Sequence, residues 1–143
     1  MDKIELSTDK HLIGPWVFRR VQKTWAPEGR EVVGLVKGEE VLGGMVFEDY
    51  TGACMSVHMA LAHEHVPVRK LLIACAQYAY NDMGVHKLLG LVRASNLPAL
   101  KFDLRIGFKA EAIIKDVYPD GDLVVLSMTR DDCKFVPKMR VAA

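Results

Sequence analysis

Residues 93–112 read RASNLPALKFDLRIGFKAEA, and the parsing of this stretch decides the fold. Asn96 is placed to cap a helix of about three turns, since its side-chain oxygen can take a free first-turn amide. Gly107 ends that helix, and FKAEAIIKDVY begins a strand. Working back, HKLLGLVR (86–93) has the length and apolar content of a buried strand. Before it, Val68, Leu71, Leu72, Cys75, Ala79 and Met83 recur at three- and four-residue intervals, the apolar stripe of a helix. Pro67 suits its first turn, and Asn81, Asp82 and Gly84 end it. A strand, a helix and a strand in that order predict a parallel pairing between 51–61 and 86–93.

Further out the signals are those of an antiparallel sheet. In EVVGLVKGEEVLGGMVFEDY, two β-branched runs flank Lys37-Gly38-Glu39 as a hairpin does, and Asp49 to Gly52 turns the chain into a third strand. Asp120-Gly121 predicts another hairpin turn, with DLVVLSMTR closing the sheet as an exposed final strand. WVFRRVQKTW (16–25) reads as a short helix, and KFVPKMRVAA (134–143) as a loose tail. The predicted order is α, β, β, β, α, β, α, β, β, in one domain over 1–143 with its core at about 30–132.

Composition narrows the function classes. The chain has 143 residues, half of them hydrophobic, and a formal net charge of +1, which gives no electrostatic case for nucleic acid or a membrane surface. The start, MDKIELSTDK, has no apolar core of the kind a signal peptide carries. The longest apolar-rich run, VPVRKLLIACAQYAY, is interrupted by Arg and Lys, against a membrane span. Three widely spaced cysteines fit a reducing compartment better than a disulfide framework, so a cytoplasmic protein is expected.

The helix corner and the strand order together resemble the GNAT N-acetyltransferase superfamily, in a divergent member of phage or bacterial kind. The residues that carry the likeness are Asn96, Ala99, Phe102, Gly107-Phe108, Lys109 and Glu111, within a region spanning 30 to 132. The resemblance implies an α/β fold, a mixed and mostly antiparallel sheet with helices on both faces. It also implies acetyl transfer from acetyl-CoA to an amine-bearing small molecule or protein, by direct attack on the thioester and without a metal. Met59, Ala60 and Leu61 would present backbone to the pantetheine arm, and Asn96 would hydrogen-bond it. The amides of Val66, Val68, Arg69, Lys70 and Leu71, at a helix start, would hold the pyrophosphate. Two positions depart from the family pattern. Val66 and Val68 stand where small residues let a phosphate close to the backbone, and Asp103 stands where many members carry a proton-donating Tyr. An Asp is expected to be ionised at neutral pH, so no general acid is carried over.

For the base, His58 near the end of the third strand has a suitable pKa, with Glu48 and Asp49 at the end of the second as rivals. The plainer reading is a packed histidine and surface carboxylates. His63 and His65 alternate as metal ligands can, but no third ligand accompanies them. Cys54 and Cys75 read as packed thiols, Arg19 and Arg20 as a surface pair. Trp16, Phe18 and Trp25 form an aromatic cluster over the core or beside an acceptor pocket. The competing function is a GNAT-shaped binding or assembly module without chemistry, which the two valines and the missing Tyr favour. An exposed final strand favours a homodimer.

Overall fold

A computed structural model describes residues 2–136. Seven strands form one sheet in the order β1-β2-β3-β4-β5-β7-β6: β1 Ile4–Ser7, β2 Glu31–Lys37, β3 Glu40–Glu48, β4 Cys54–Leu61, β5 Lys87–Arg93, β6 Lys109–Tyr118 and β7 Gly121–Thr129. Every pairing is antiparallel except β4 with β5, the parallel pair expected of the crossover. The crossover itself is α2 (Arg69–Ala76), continued by a π-helical segment, Gln77–Asp82. The remaining helices are α1 (Lys10–Arg20) and α3 (Leu97–Ile106).

The sheet has an apolar cluster on each face, because its strands alternate side chains between two helical layers. On one face α1 buries Ile13, Val17 and Phe18 against Val32, Val41 and Val46. On the other, α2, the π-helical segment and the end of α3 bury Leu71, Leu72, Cys75, Tyr80 and Ile106 against Met45, Phe47, Met55 and Leu126. Gly44 lets α1 lie close: a Cβ there would stand 2.7 Å from Ile13 and 2.9 Å from Val17. The α1 layer lies mainly over β3, with β2 and β4 on either side of it.

Three expectations are corrected. The first helix starts at Lys10, not at Trp16, because Asp9 caps it by accepting from the His11 amide at 3.0 Å. Pro15 falls inside this helix, and tertiary burial of Ile13, Val17 and Phe18 offsets its missing hydrogen bond. The chain then turns at Gln22 (φ 60°), and Trp25 folds back over Gly14 instead of extending the helix. A first strand was not foreseen: IELS is only four residues, nearly all exposed, and pairing with β2 holds it rather than burial. Finally, the last strand is not the edge. β7 runs between β5 and β6, so the sheet's two edges are β1 and β6. Of the expected tail, Phe135 and Val136 pack on the main cluster, and residues 137–143 lie outside the described residues.

Candidate active site

The parallel ladder between β4 and β5 ends at Val57 and Gly90, yet β4 continues to Leu61 along β3, and β5 to Arg93 along β7. The two strands therefore part beyond Val57. The Ala62 amide bonds the Leu42 carbonyl at 2.8 Å, and the Ala53 carbonyl accepts from His86 at 2.7 Å. By the alternation of a strand's backbone groups, even-numbered residues of β4 bond β3 and odd-numbered ones face β5. Met59 and Leu61 thus turn their N–H and C=O groups into the gap. Ala60, expected there too, turns its backbone to Gly44 on β3 instead.

At the point of parting lies a buried polar cluster on the α1 side. His58 is the first residue past the last β4–β5 pair, and its ring packs edge-on to Phe18 with centroids 5.5 Å apart. Its Nε2 lies 2.7 Å from Glu48 Oε1, and the Arg30 Nε–H donates to Glu48 Oε2 at 2.6 Å. Lys23 Nζ stands 3.7 Å from the same carboxylate. Glu48 is 8% and His58 9% exposed, so water does little to screen the cluster. Burial alone would push Glu48 up, but hydrogen bonds from Arg30 and His58 outweigh it and hold the carboxyl below its usual range. Burial pushes His58 below the ordinary histidine value, against the pull of Glu48. A neutral imidazole beside a carboxylate donates from Nε2, which leaves the lone pair on Nδ1. Among the described residues Nδ1 has no hydrogen-bond partner, and none of their buried side-chain polar atoms is sealed away unpaired. Nδ1 therefore reaches solvent. Two of the three base candidates, His58 and Glu48, are one hydrogen-bonded unit, and the third, Asp49, in the left-handed region at φ 57°, lines a cleft beside it. That cleft, of about 360 Å³, is bounded by Glu28, Gly29, Arg30, Glu48, Asp49 and Tyr50.

The start of α2 lies at the open end of the gap, where β4 hands over to the crossover. No side chain caps this helix, and its first residue follows Val68. The Leu72 amide is bonded to the Val68 carbonyl, while the amides of Arg69, Lys70 and Leu71 precede the first intrahelical bond. Val66 is buried and Val68 packs on the main cluster, so both side chains point inward instead of over these amides. Arg69 is exposed, and Lys70 Nζ donates to the Ile4 carbonyl at 3.4 Å.

Asn96 begins α3 as expected, its Oδ1 accepting from the Ala99 amide at 3.3 Å. That bond uses the side-chain carbonyl and leaves the carboxamide N–H₂ free to donate. From there α3 runs back towards Phe108, whose ring lies 3.7 Å from where a Cβ on Gly90 would stand. Asp103 is on the helix's inward stripe with Ala99 and Ile106, about 4.5 Å along the axis before Ile106. No hydrogen bond or ion pair among the described residues engages its carboxyl, and burial pushes it up to about 7. The expectation of a fully ionised Asp103 is corrected: near neutrality a large fraction holds its proton.

The other singled-out residues stay apart from this site. His63 and His65 are exposed with ring centroids 6.3 Å apart, and the described residues bring together no group of three metal-binding side chains. Cys75 is buried with its thiol pushed far up, and burial also raises Cys54. Phe18 and Trp25 pack edge-to-face at 5.3 Å beside His58, and Arg20 stacks on Trp16 rather than pairing with Arg19. Sequence reasoning did not place Arg30 beside Glu48 or foresee the raised pKa of Asp103. The buried, strand-terminal Glu48 would have pointed to a cation beside it, but nothing local marks Arg30.

No protein-family profile matches the chain. No curated protein sequence matches it either. Solved structures do. A mutant of the spermidine N-acetyltransferase SpeG from Vibrio cholerae superposes with a TM-score of 0.71 at 12% identity, over 90% of this chain and 94% of that one. A dodecameric structure of spermidine N-acetyltransferase from the same organism gives 0.71 at 10% identity, over 90% and 94%. A structure assigned as a phosphinothricin N-acetyltransferase gives 0.66 at 15% identity, over 89% and 98%. The chain therefore has the fold of the GNAT N-acetyltransferases.

Proposed function

We propose that the protein is an acyl-CoA-dependent N-acyltransferase that moves an acetyl group from acetyl-CoA to an amine acceptor. The observation that carries this reading is the His58–Glu48 pair, buried at the point where β4 and β5 part. Acetyl-CoA enters as a substrate. The residues present suit it: free backbone groups of Met59 and Leu61 for the amides of the pantetheine arm, the carboxamide of Asn96 as a donor, and the amides of Arg69, Lys70 and Leu71 for the pyrophosphate. The acceptor comes from the cleft at Glu28, Asp49 and Tyr50, on the other side of the pair.

In the reaction the amine nitrogen attacks the thioester carbon while His58 Nδ1 takes the amine proton. The C–S bond then breaks, and Asp103, partly protonated near neutrality, returns a proton to the departing thiolate. Most of the catalysis rests on holding amine and thioester together beside oriented backbone dipoles. The competing reading is a module without chemistry, and burial of Val66 with packing of Val68 on the main cluster supports the transferase reading over it. Three free cysteines suit a cytoplasmic setting. No described helix is long and apolar enough to cross a membrane.

The test is release of free thiol from acetyl-CoA over a panel of acceptors, with product mass checked. Spermidine and phosphinothricin, taken from the names of the structural relatives, would stand beside simple primary amines and a peptide. Amine-dependent thiol release with an N-acetyl product supports the proposal. No release with any amine, from protein that binds acetyl-CoA, would contradict it.

A further inference from the structure

The cluster around Glu48 holds a group that the reaction above does not use. Arg30 is 23% exposed at its side chain and fixed at three points. Its Nε–H donates to Glu48 Oε2, its NH1 group donates to the Ala26 carbonyl at 2.7 Å, and its guanidinium carbon lies 5.1 Å from the centroid of the Phe18 ring. Phe18 in turn packs edge-on to His58. One cation therefore touches both partners of the histidine, the carboxylate and the ring.

We propose that Arg30 is a positioning residue that makes Glu48 the anchor, and His58 Nδ1 the base, of the transfer reaction. The inference rests on the transferase reading and resolves which of the two candidate groups takes the proton. Glu48 has both oxygens engaged, Oε2 by Arg30 and Oε1 by His58 Nε2, with Lys23 beside it. A carboxylate so held is a poor proton acceptor, because each oxygen already takes a hydrogen bond. Its charge is already balanced by Arg30, so it does not need His58 to become imidazolium. The ring stays neutral, donates Nε2–H, and keeps Nδ1 for chemistry. Without Arg30, the buried negative charge would draw a proton onto His58. The charged groups facing the histidine are Glu48, Lys23 and Asp49, from β3 and the loops at either side of the sheet, and the first two would remain in place with Asp49.

The test is nitrogen NMR of the histidine rings in the wild-type protein, in Arg30→Met and in Arg30→Lys, alongside pH–rate profiles. The wild type should show a neutral His58 protonated at Nε2 at pH 7. In Arg30→Met its titration midpoint should rise by about one pH unit or more, and the acidic limb of kcat/KM should move with it. Arg30→Lys should restore part of both. Lower stability with an unmoved His58 titration, or a wild-type ring protonated at Nδ1, would overturn the proposal. If Arg30→Met is too unstable, the lysine variant and the wild-type tautomer still decide it. Failure of the transferase reading shows separately, as wild-type protein that acetyl-CoA does not stabilise.

Discussion

Replacing Asp103 with Asn should stabilise the protein above pH 7 and change little near pH 4. The carboxyl lies on the inward stripe of α3, without a partner among the described residues, and burial pushes it from 3.8 to about 7. In the unfolded chain an Asp loses its proton near 4, while the folded protein keeps it until about 7. Between those values the folded state binds the extra proton, so stability falls as pH rises through the window and is level outside it. A displacement of about 3 units at about 1.36 kcal/mol each sets a ceiling of ~4 kcal/mol, and local relaxation with some water access brings the expectation to about 2–4 kcal/mol. Asn carries no charge and removes this pH-dependent part. Urea unfolding of both proteins at pH 4.5, 5.5, 6.5, 7.5 and 8.5 would measure it. The difference between them should grow steadily from pH 4.5 and level off near 8. A difference that stays constant to within about 0.5 kcal/mol over that range would refute the buried-acid assignment. The same variant should also lose turnover, since it cannot give the thiolate a proton.

His58→Ala should lower turnover at least about tenfold with little change in acetyl-CoA affinity, read by steady-state kinetics and calorimetry, because the base acts on the amine and not on the cofactor. Unchanged turnover would remove His58 from the mechanism. Gly44→Val should destabilise the fold by roughly 1–3 kcal/mol or more, since its Cβ would stand within 3 Å of Ile13 and Val17, and denaturant titration would show it. Asn96→Ala should cost about 1 kcal/mol as a lost cap. It should also weaken acetyl-CoA binding beyond that, by a loss that Asn96→Asp, which keeps the cap, shares.

The parts of this fold that could be read from sequence were those written in local pattern. The hairpin around Gly38, the apolar stripe from Val68, and the Asn96-to-Gly107 helix each rest on neighbours within one or two turns, and each stands where it was expected. What escaped depends on the third dimension. The first helix was expected only from Trp16, yet packing of Ile13 and Phe18 on β2 and β3 carries it from Lys10 through Pro15. The final strand, last in the sequence, lies inside the sheet because it pairs with β5, which no local pattern announces. The site follows the same division. His58, Glu48 and Asn96 were visible by residue type and strand position. Their joining into one cluster with Arg30 required a register that sets β2 beside β3 and β3 beside β4. Asp103 was misjudged because its ordinary pKa was applied to a burial that only helix packing reveals.

The central claim, that the gap between β4 and β5 and the free amides of α2 receive acetyl-CoA, is open to a direct measurement. Thermal unfolding would be followed with and without millimolar acetyl-CoA, with coenzyme A and adenosine diphosphate as controls. A ligand at about a hundred times its dissociation constant adds roughly 2.7 kcal/mol, which at this chain length moves the midpoint by about 8 °C. The account predicts a shift of that order with acetyl-CoA and with coenzyme A, and a smaller one with adenosine diphosphate, which meets only the α2 amides. An unmoved midpoint with all three would contradict it.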